Sequence, residues 1–449
     1  MKRIIFKQED LSNLPSPEAG YLTIGVSENG GLSTISSDGT ISAVGSGGGA
    51  PSLDPSNTIS GFNNELSGGY NNTIGGTYST ISGGYNNEID GDNQTISGGY
   101  QNFAKNLQGG QENSTIGGGF KNTLTDMGGS ATIGGGMFNY SADTRNSTIS
   151  GGYKNTTKSG YNQTISGGYS NYVDDTSNSS IGGGHKNTAH GGSSFTISGG
   201  YNNWVDNGSS LVIGGGDQNT ISGGSNITIS GGYKNCADSG ANSIGGGKYN
   251  TAVMGGGLTI SGGYYNYAQD GYNTVSGGYC NTVTGSYNSI SGGYSNNVQS
   301  GAWNIMSGNY NTSSGNYAST ISGYCNGMTS SYHSSISGGY NGIEYSYQSP
   351  ILGGRENTIS GTYEGDFTFR SSIVGGYKNT ITTSCYSTIV GGHNNEITGF
   401  TSSFVIGSNI TADRDNTTFV ENLTITSLPT SAPTQPGAIW NDNGTLKIV

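Results

Sequence analysis

Residues Ile165-Ser166-Gly167-Gly168-Tyr169-Ser170-Asn171 state a pattern that most of the chain repeats, and Ile81-Ser82-Gly83-Gly84-Tyr85-Asn86-Asn87 is an earlier copy. Outward from the first copy, apolar residues recur at Ile165, Val173, Ile181, Ala189, Ile197, Val205 and Ile213, a spacing of eight that elsewhere shortens to seven. Only alternate members carry the full signature, so the repeat is 15 or 16 residues and holds two strand-like halves. A helix is excluded, because each Gly of the pair costs about 1 kcal/mol there and the apolar period is wrong. Ser/Thr-Ile-Ser is instead a short β-prone run, and the Gly pair permits a tight turn. The Asn two residues after Tyr is expected to take the left-handed conformation. Six residues on from the signature Ile stand Asn87, Asn102, Asn155, Asn171, Asn187, Asn203 and further asparagines to Asn395, an expected ladder. The pattern predicts an all-β fold, a parallel β-solenoid or β-roll of about twenty such coils from about residue 57 to 410, which at about 4.8 Å per layer makes a rod of roughly 100 Å.

Composition excludes several classes. The chain has 449 residues, 84 Gly, 30 Tyr, 10% charged residues and a formal net charge of -12. Low charge with 10% aromatic residues does not fit disorder. No apolar run reaches the roughly 18 residues of a membrane helix, and Met1 to Asp10 lacks the apolar stretch of a signal peptide, so neither membrane insertion nor Sec export is expected. Sixteen Lys and Arg, scattered singly, give no footprint for nucleic acid. Cys236, Cys280, Cys325 and Cys385 lie far apart and read as free thiols from a reducing compartment.

The expected organisation is an N-terminal attachment or capping module over 1–50, a repetitive shaft over 51–412, and a Pro-rich C-terminal segment with a closing hairpin over 413–449. Turn dipeptides Asn29-Gly30 and Asp38-Gly39 break the first module into strands, and Asn443-Gly444 predicts the final hairpin. Ser46 to Pro51 reads as the joint. One Ile and one Val or Ala per coil supply about 3 to 5 kcal/mol of burial, against about 1.5 kcal/mol of ordering for each residue. Pooling the apolar faces of three chains along one axis would close that gap, so an intertwined homotrimer is expected.

The stretches Asn146-Ser147-Thr148-Ile149-Ser150-Gly151-Gly152 and Asn242-Ser243-Ile244-Gly245-Gly246-Gly247 resemble repeats in the head domains of bacterial trimeric autotransporter adhesins. That resemblance covers about 350 residues and implies trimeric β-rolls with left-handed coils. The sequence departs from it by placing Tyr and Asn after the Gly pair and by its longer period, and it shows neither the signal peptide nor the anchor barrel of those adhesins. Leu14 to Gly45 and Leu428 to Val449 look like the terminal segments of bacteriophage tail fibres and other virion structural proteins. This likeness implies attachment to a virion protein through the N-terminal module.

Tyr85, Tyr100, Tyr153, Tyr169, Tyr201, Tyr233, Tyr264, Tyr279, Tyr294, Tyr310, Tyr340 and Tyr377 each lie four residues after the signature apolar residue and should form one stripe, mainly structural. Phe120, Met137, His185, Asp217, Lys248, Arg355 and His393 interrupt it. An insertion near Thr362 to Arg370 is expected to protrude, making Tyr363, Phe367, Phe369 and Arg370 the candidate surface contacts. No two histidines have metal-ligand spacing, and His190 and His333 read as turn residues. Asp174-Asp175 and Glu364-Gly365-Asp366 are the nearest approach to paired carboxylates, and read as exposed turns. No catalytic, metal or cofactor residue is assigned.

The resulting expectation is a non-enzymatic fibre on a phage-like virion, made in the host cytoplasm, adhering to a surface through a cell-surface glycan or protein. A self-assembling filament, a polysaccharide-cleaving spike and an ice-binding solenoid are the rivals.

Overall fold

Residues 163–178 show how the sequence makes the structure, a computed structural model that describes residues 23–26, 32–35, 41–43, 54–106, 113–126, 129–362 and 366–449. Thr164–Ile165 and Tyr172–Ser177 are strands. Alternation along them sends Ile165 and Val173 inward, where both are fully buried, and turns Thr164, Ser166, Tyr172 and Asp174 outward. Each strand pairs in parallel with its counterparts one coil earlier and one coil later: Thr164 with Thr148 and Ser180, Tyr172 with Thr156 and Thr188. Pairing between successive coils stacks them instead of closing a barrel, and the result is a β-solenoid of about 22 coils with no helix among the described residues. A third ladder of single bridges runs through the stripe position, as in Tyr153 to Tyr169 to His185 to Tyr201.

Four inward positions recur from coil to coil, joined here by the buried Thr176. Ile165 and Val173 fill the middle, while Gln163 and Asn171 fill the corners. The Asn171 amide is satisfied on every side: Nδ2 donates to Gly167 O (2.9 Å) and to Gly184 O of the next coil (3.1 Å), and Oδ1 accepts the backbone N–H of Asn187 (3.0 Å). Asn155 and Asn203 repeat this pattern, so the expected ladder is a column of buried amides with their partners in place.

The left-handed residue is not this asparagine. It is the residue between Tyr and Asn: Lys154, Ser170, Lys186 and Asn202 have φ of 54°, 53°, 57° and 52°. Asn171 must stay inward to bridge coils, so the turn is made one place earlier. The two glycines also differ. A Cβ on Gly152 would lie 2.3 Å from Gly168 O and 2.6 Å from Asn155 Nδ2, whereas one on Gly151 would meet nothing within 4 Å.

The second corner, eight residues from the Asn column, accepts many side chains. Gln163, Ser179, Phe195, Leu211 and Ile227 occupy it in successive coils, all buried. Further along, Asn273, Asn288 and Asn304 form a second amide column. The apolar residues on which a core shared by three chains was premised are thus enclosed within one chain, with Ile149, Ile165, Ile181 and Ile197 fully buried.

The chain divides into two compact units, 1–138 and 139–449. The first holds a three-stranded antiparallel sheet, Thr23–Val26, Leu32–Ile35 and Ile41–Ala43, and coils from Thr58–Ile59 onward. Asn29-Gly30, Asp38-Gly39 and the joint of the expected N-terminal module lie outside the described residues. The second unit runs from the strand Tyr140–Arg145 to Thr418–Val420 and ends in the antiparallel hairpin Ile439–Asp442 with Thr445–Ile448. The hairpin turn is made by Asn443 and Gly444, with φ of 50° and 93°, as the dipeptide predicted.

Candidate functional site

Within each unit the stripe forms and faces solvent. Tyr85, Tyr100, Tyr169, Tyr201, Tyr279, Tyr294 and Tyr377 are each about 40% exposed, and Tyr153, Tyr233 and Tyr264 are half-buried. Strand spacing brings their rings together: Tyr85 and Tyr100 stack at 5.0 Å, Tyr153 and Tyr169 at 5.0 Å, Tyr279 and Tyr294 at 4.9 Å. Stacking of this kind contributes about 0.5 to 1.5 kcal/mol per pair beyond area burial. It also desolvates the phenols, pushing the pKa values of Tyr264 and Tyr279 above the ordinary range, with neighbouring phenols adding to the rise. Lys248, where Tyr is replaced, sits over the Tyr233 ring at 4.8 Å as a cation–π partner.

Two members are displaced. The coils at Met306, Ile321 and Ile336 have one residue fewer before the buried asparagine, which comes five places on at Asn311, Asn326 and Asn341. The fixed offset of four therefore puts Tyr310 and Tyr340 on the left-handed residue, with φ of 57° and 56°, while Asn309 and Gly339 occupy the bridge position. Tyr324 is the stripe member in the coil between them, missed for the same reason.

The insertion does not simply protrude. Thr368–Phe369 pairs in parallel with Ser346–Tyr347, folding it back onto the preceding coil. Phe367 and Phe369 thereby meet Tyr332 and Tyr347 around an apolar pocket of about 240 Å³. The rings are canted, with interplanar angles of 57° between Phe367 and Phe369, 50° between Tyr347 and Phe369, and 36° between Tyr332 and Tyr347. Arg370 lies beside the pocket, its Nε donating to Gln348 Oε1 at 2.9 Å and its guanidinium 5.9 Å from the Tyr386 ring. Of the four candidate contacts, Phe367 and Phe369 line the pocket, Arg370 adjoins Phe369, and Tyr363 lies outside the described residues. Nothing in the spacing marks Tyr332 and Tyr347, because only coil stacking brings them to the insertion.

The titratable residues do not converge. His190 is on the strand Thr188–Ser193, not in a turn, with Nδ1 2.8 Å from Asp206 Oδ1. Asp174 and Asp175 likewise lie within the strand Tyr172–Ser177, not in an exposed turn. Asp174 accepts the Tyr172 hydroxyl at 2.7 Å, and Asp175 takes φ of 50° at the strand's kink. Glu364 and Gly365 lie outside the described residues. No group of three or more His, Cys, Asp or Glu comes together among the described residues. The four cysteines are free and half-buried, and burial pushes the Cys236 thiol above its usual pKa.

Comparison with protein-family profiles and with curated proteins found no match.

Proposed function

We propose that this chain is a non-enzymatic structural fibre of a phage-like virion that helps the particle attach to a surface through a glycan. The reading is carried by one observation: a pocket of four aromatic rings stands on a stack of coils whose buried amides are partnered from coil to coil. Such a scaffold holds a recognition surface at fixed geometry, and its ladders leave few free edges. A pocket of about 240 Å³ is of the size of one sugar ring, and canted aromatic faces suit a ring with apolar faces and a polar rim. The N-terminal sheet is the proposed anchor to the virion, on the likeness of the chain's ends to phage structural proteins.

Two rivals are less favoured. A polysaccharide-cleaving spike needs carboxylates facing each other across about 5 to 9.5 Å, whereas Asp174 and Asp175 are successive residues of one strand. An ice lattice needs unbroken hydroxyl rows, and Gly182, Val212, Gly214, Gly245 and Ile305 interrupt the outward Thr and Ser rows of the short strands.

The test is saturation-transfer NMR of the full chain with a panel of methyl pyranosides and N-acetylhexosamines. Phe369→Ala and Tyr332→Ala are expected to abolish the transfer, and Tyr279→Ala, on the stripe, to leave it unchanged. Transfer to no sugar, or transfer indifferent to both pocket variants, rules the reading out.

A further inference from the structure

The outward residue that follows each signature apolar residue is Ser in four successive coils: Ser291, Ser307, Ser322 and Ser337. From the next coil the same position holds Leu352, Val374, Val390 and Ile406, which are 56%, 43%, 38% and 41% exposed. They stand strictly in register: the backbone N–H groups of Leu352, Val374 and Val390 donate to Ile373 O, Ile389 O and Val405 O at 3.0, 2.9 and 3.0 Å. Val420 pairs with Ile406 and extends the row by one coil, and Phe404, 37% exposed, widens it. The neighbouring inward residues Ile373, Ile389 and Val405 are fully buried, so the row is additional to a core already complete. Single exposed apolar residues need no explanation, but a contiguous row does.

We infer that this row is a seam at which copies of this chain meet, each packing its row against the same row of a second copy. Two observations select that occupant. The row repeats at the strand spacing, about 4.8 Å per layer, and a second copy presents the same spacing by construction, as a self-complementary symmetric contact requires. No charged residue stands in the flanking outward positions Pro350, Ser372, Thr388 and Phe404, so from Leu352 to Ile406 two chains of net charge -12 can meet without burying like charges, with Glu421 at the rim beyond Val420. These six side chains cover less than the roughly 800 Å² per partner of a stable interface, so association is expected at micromolar concentration and not far below it. The inference deepens the fibre reading and rests on it only in that a fibre is assembled from copies. Glycan binding at the pocket survives if the seam fails, and the seam survives if the pocket binds no sugar.

Sedimentation velocity of the full chain tests it. The wild type is expected to be a multimer at micromolar concentration. Val374→Ser with Val390→Ser, which continues the Ser row, is expected to raise the concentration for association about tenfold or more with an unchanged circular dichroism spectrum. Val390→Cys is expected to link two copies by a disulfide on oxidation, a readout that holds even if the double variant folds poorly. A wild type that stays monomeric at about 100 µM overturns the seam, as does a Val390→Cys chain that forms no cross-link between copies.

Discussion

The asparagine between coils is the residue on which the stack depends most. Truncating Asn171 to Ala leaves the Gly167 carbonyl and the N–H of Asn187 without their partner in a corner between coils, while Gly184 O keeps the Tyr169 N–H. Orphaned buried groups cost about 1 to 3 kcal/mol each, so Asn171→Ala should destabilise the chain by at least that much in urea denaturation. The glycine pair offers a sharper contrast. Gly152→Ala drives a methyl into a backbone oxygen at φ of +90°, while Gly151→Ala has open space. The first should lower the melting temperature markedly and the second hardly at all. Tyr172 titrates late: burial, and then the Asp174 carboxylate that accepts its hydroxyl, push its pKa up to about 12. A group raised in the folded state contributes stability that is complete below its unfolded pKa near 10 and is lost as pH climbs through 12. Tyr172→Phe should therefore flatten the alkaline fall in stability between those values, followed by denaturation midpoints at pH 9 to 12.

At the level of the coil, what counts is which residue lies above which. Deleting 163–178 removes one sixteen-residue turn and brings Asn155 beneath Asn187, which offers the same amide in the same place. That variant should fold, with an unchanged β-spectrum and protease resistance. Deleting only 163–174 puts unlike residues in register and should unfold the neighbouring coils, visible as rapid proteolysis. The repeat itself could be read from the sequence because Ile, the second Gly and Asn each hold a position no other residue fills as well. The second corner could not, since Gln163, Phe195 and Leu211 do the same filling with unrelated chemistry. A turn one residue shorter at Met306, Ile321 and Ile336 misplaced Tyr310 and Tyr340, because offsets counted along the chain do not follow a change of turn length. The pocket was half legible: the insertion was plain in the spacing, but its partners Tyr332 and Tyr347 come from other coils.

For the whole molecule, enclosure of the core within one chain changes what association can do. Copies add outer contacts instead of completing an interior, so separated chains of the second unit should keep their β-spectrum, whereas a shared core would be lost on dissociation. Circular dichroism of the dissociated double variant at Val374 and Val390 distinguishes the two. Val374 follows Ile373 as Val390 follows Ile389, and in sequence each pair reads as one apolar run. Only the structure sends one member inward and the other out.

Because each coil in the second unit bonds only to its two neighbours, tension applied along the stack loads one layer at a time. A released coil of sixteen residues stretches to about 50 Å beyond its folded rise. Pulled by its ends in an optical trap, the unit should pay out in a sawtooth of nearly equal steps, with one longer tooth where 22 residues separate Ile351 from Ile373.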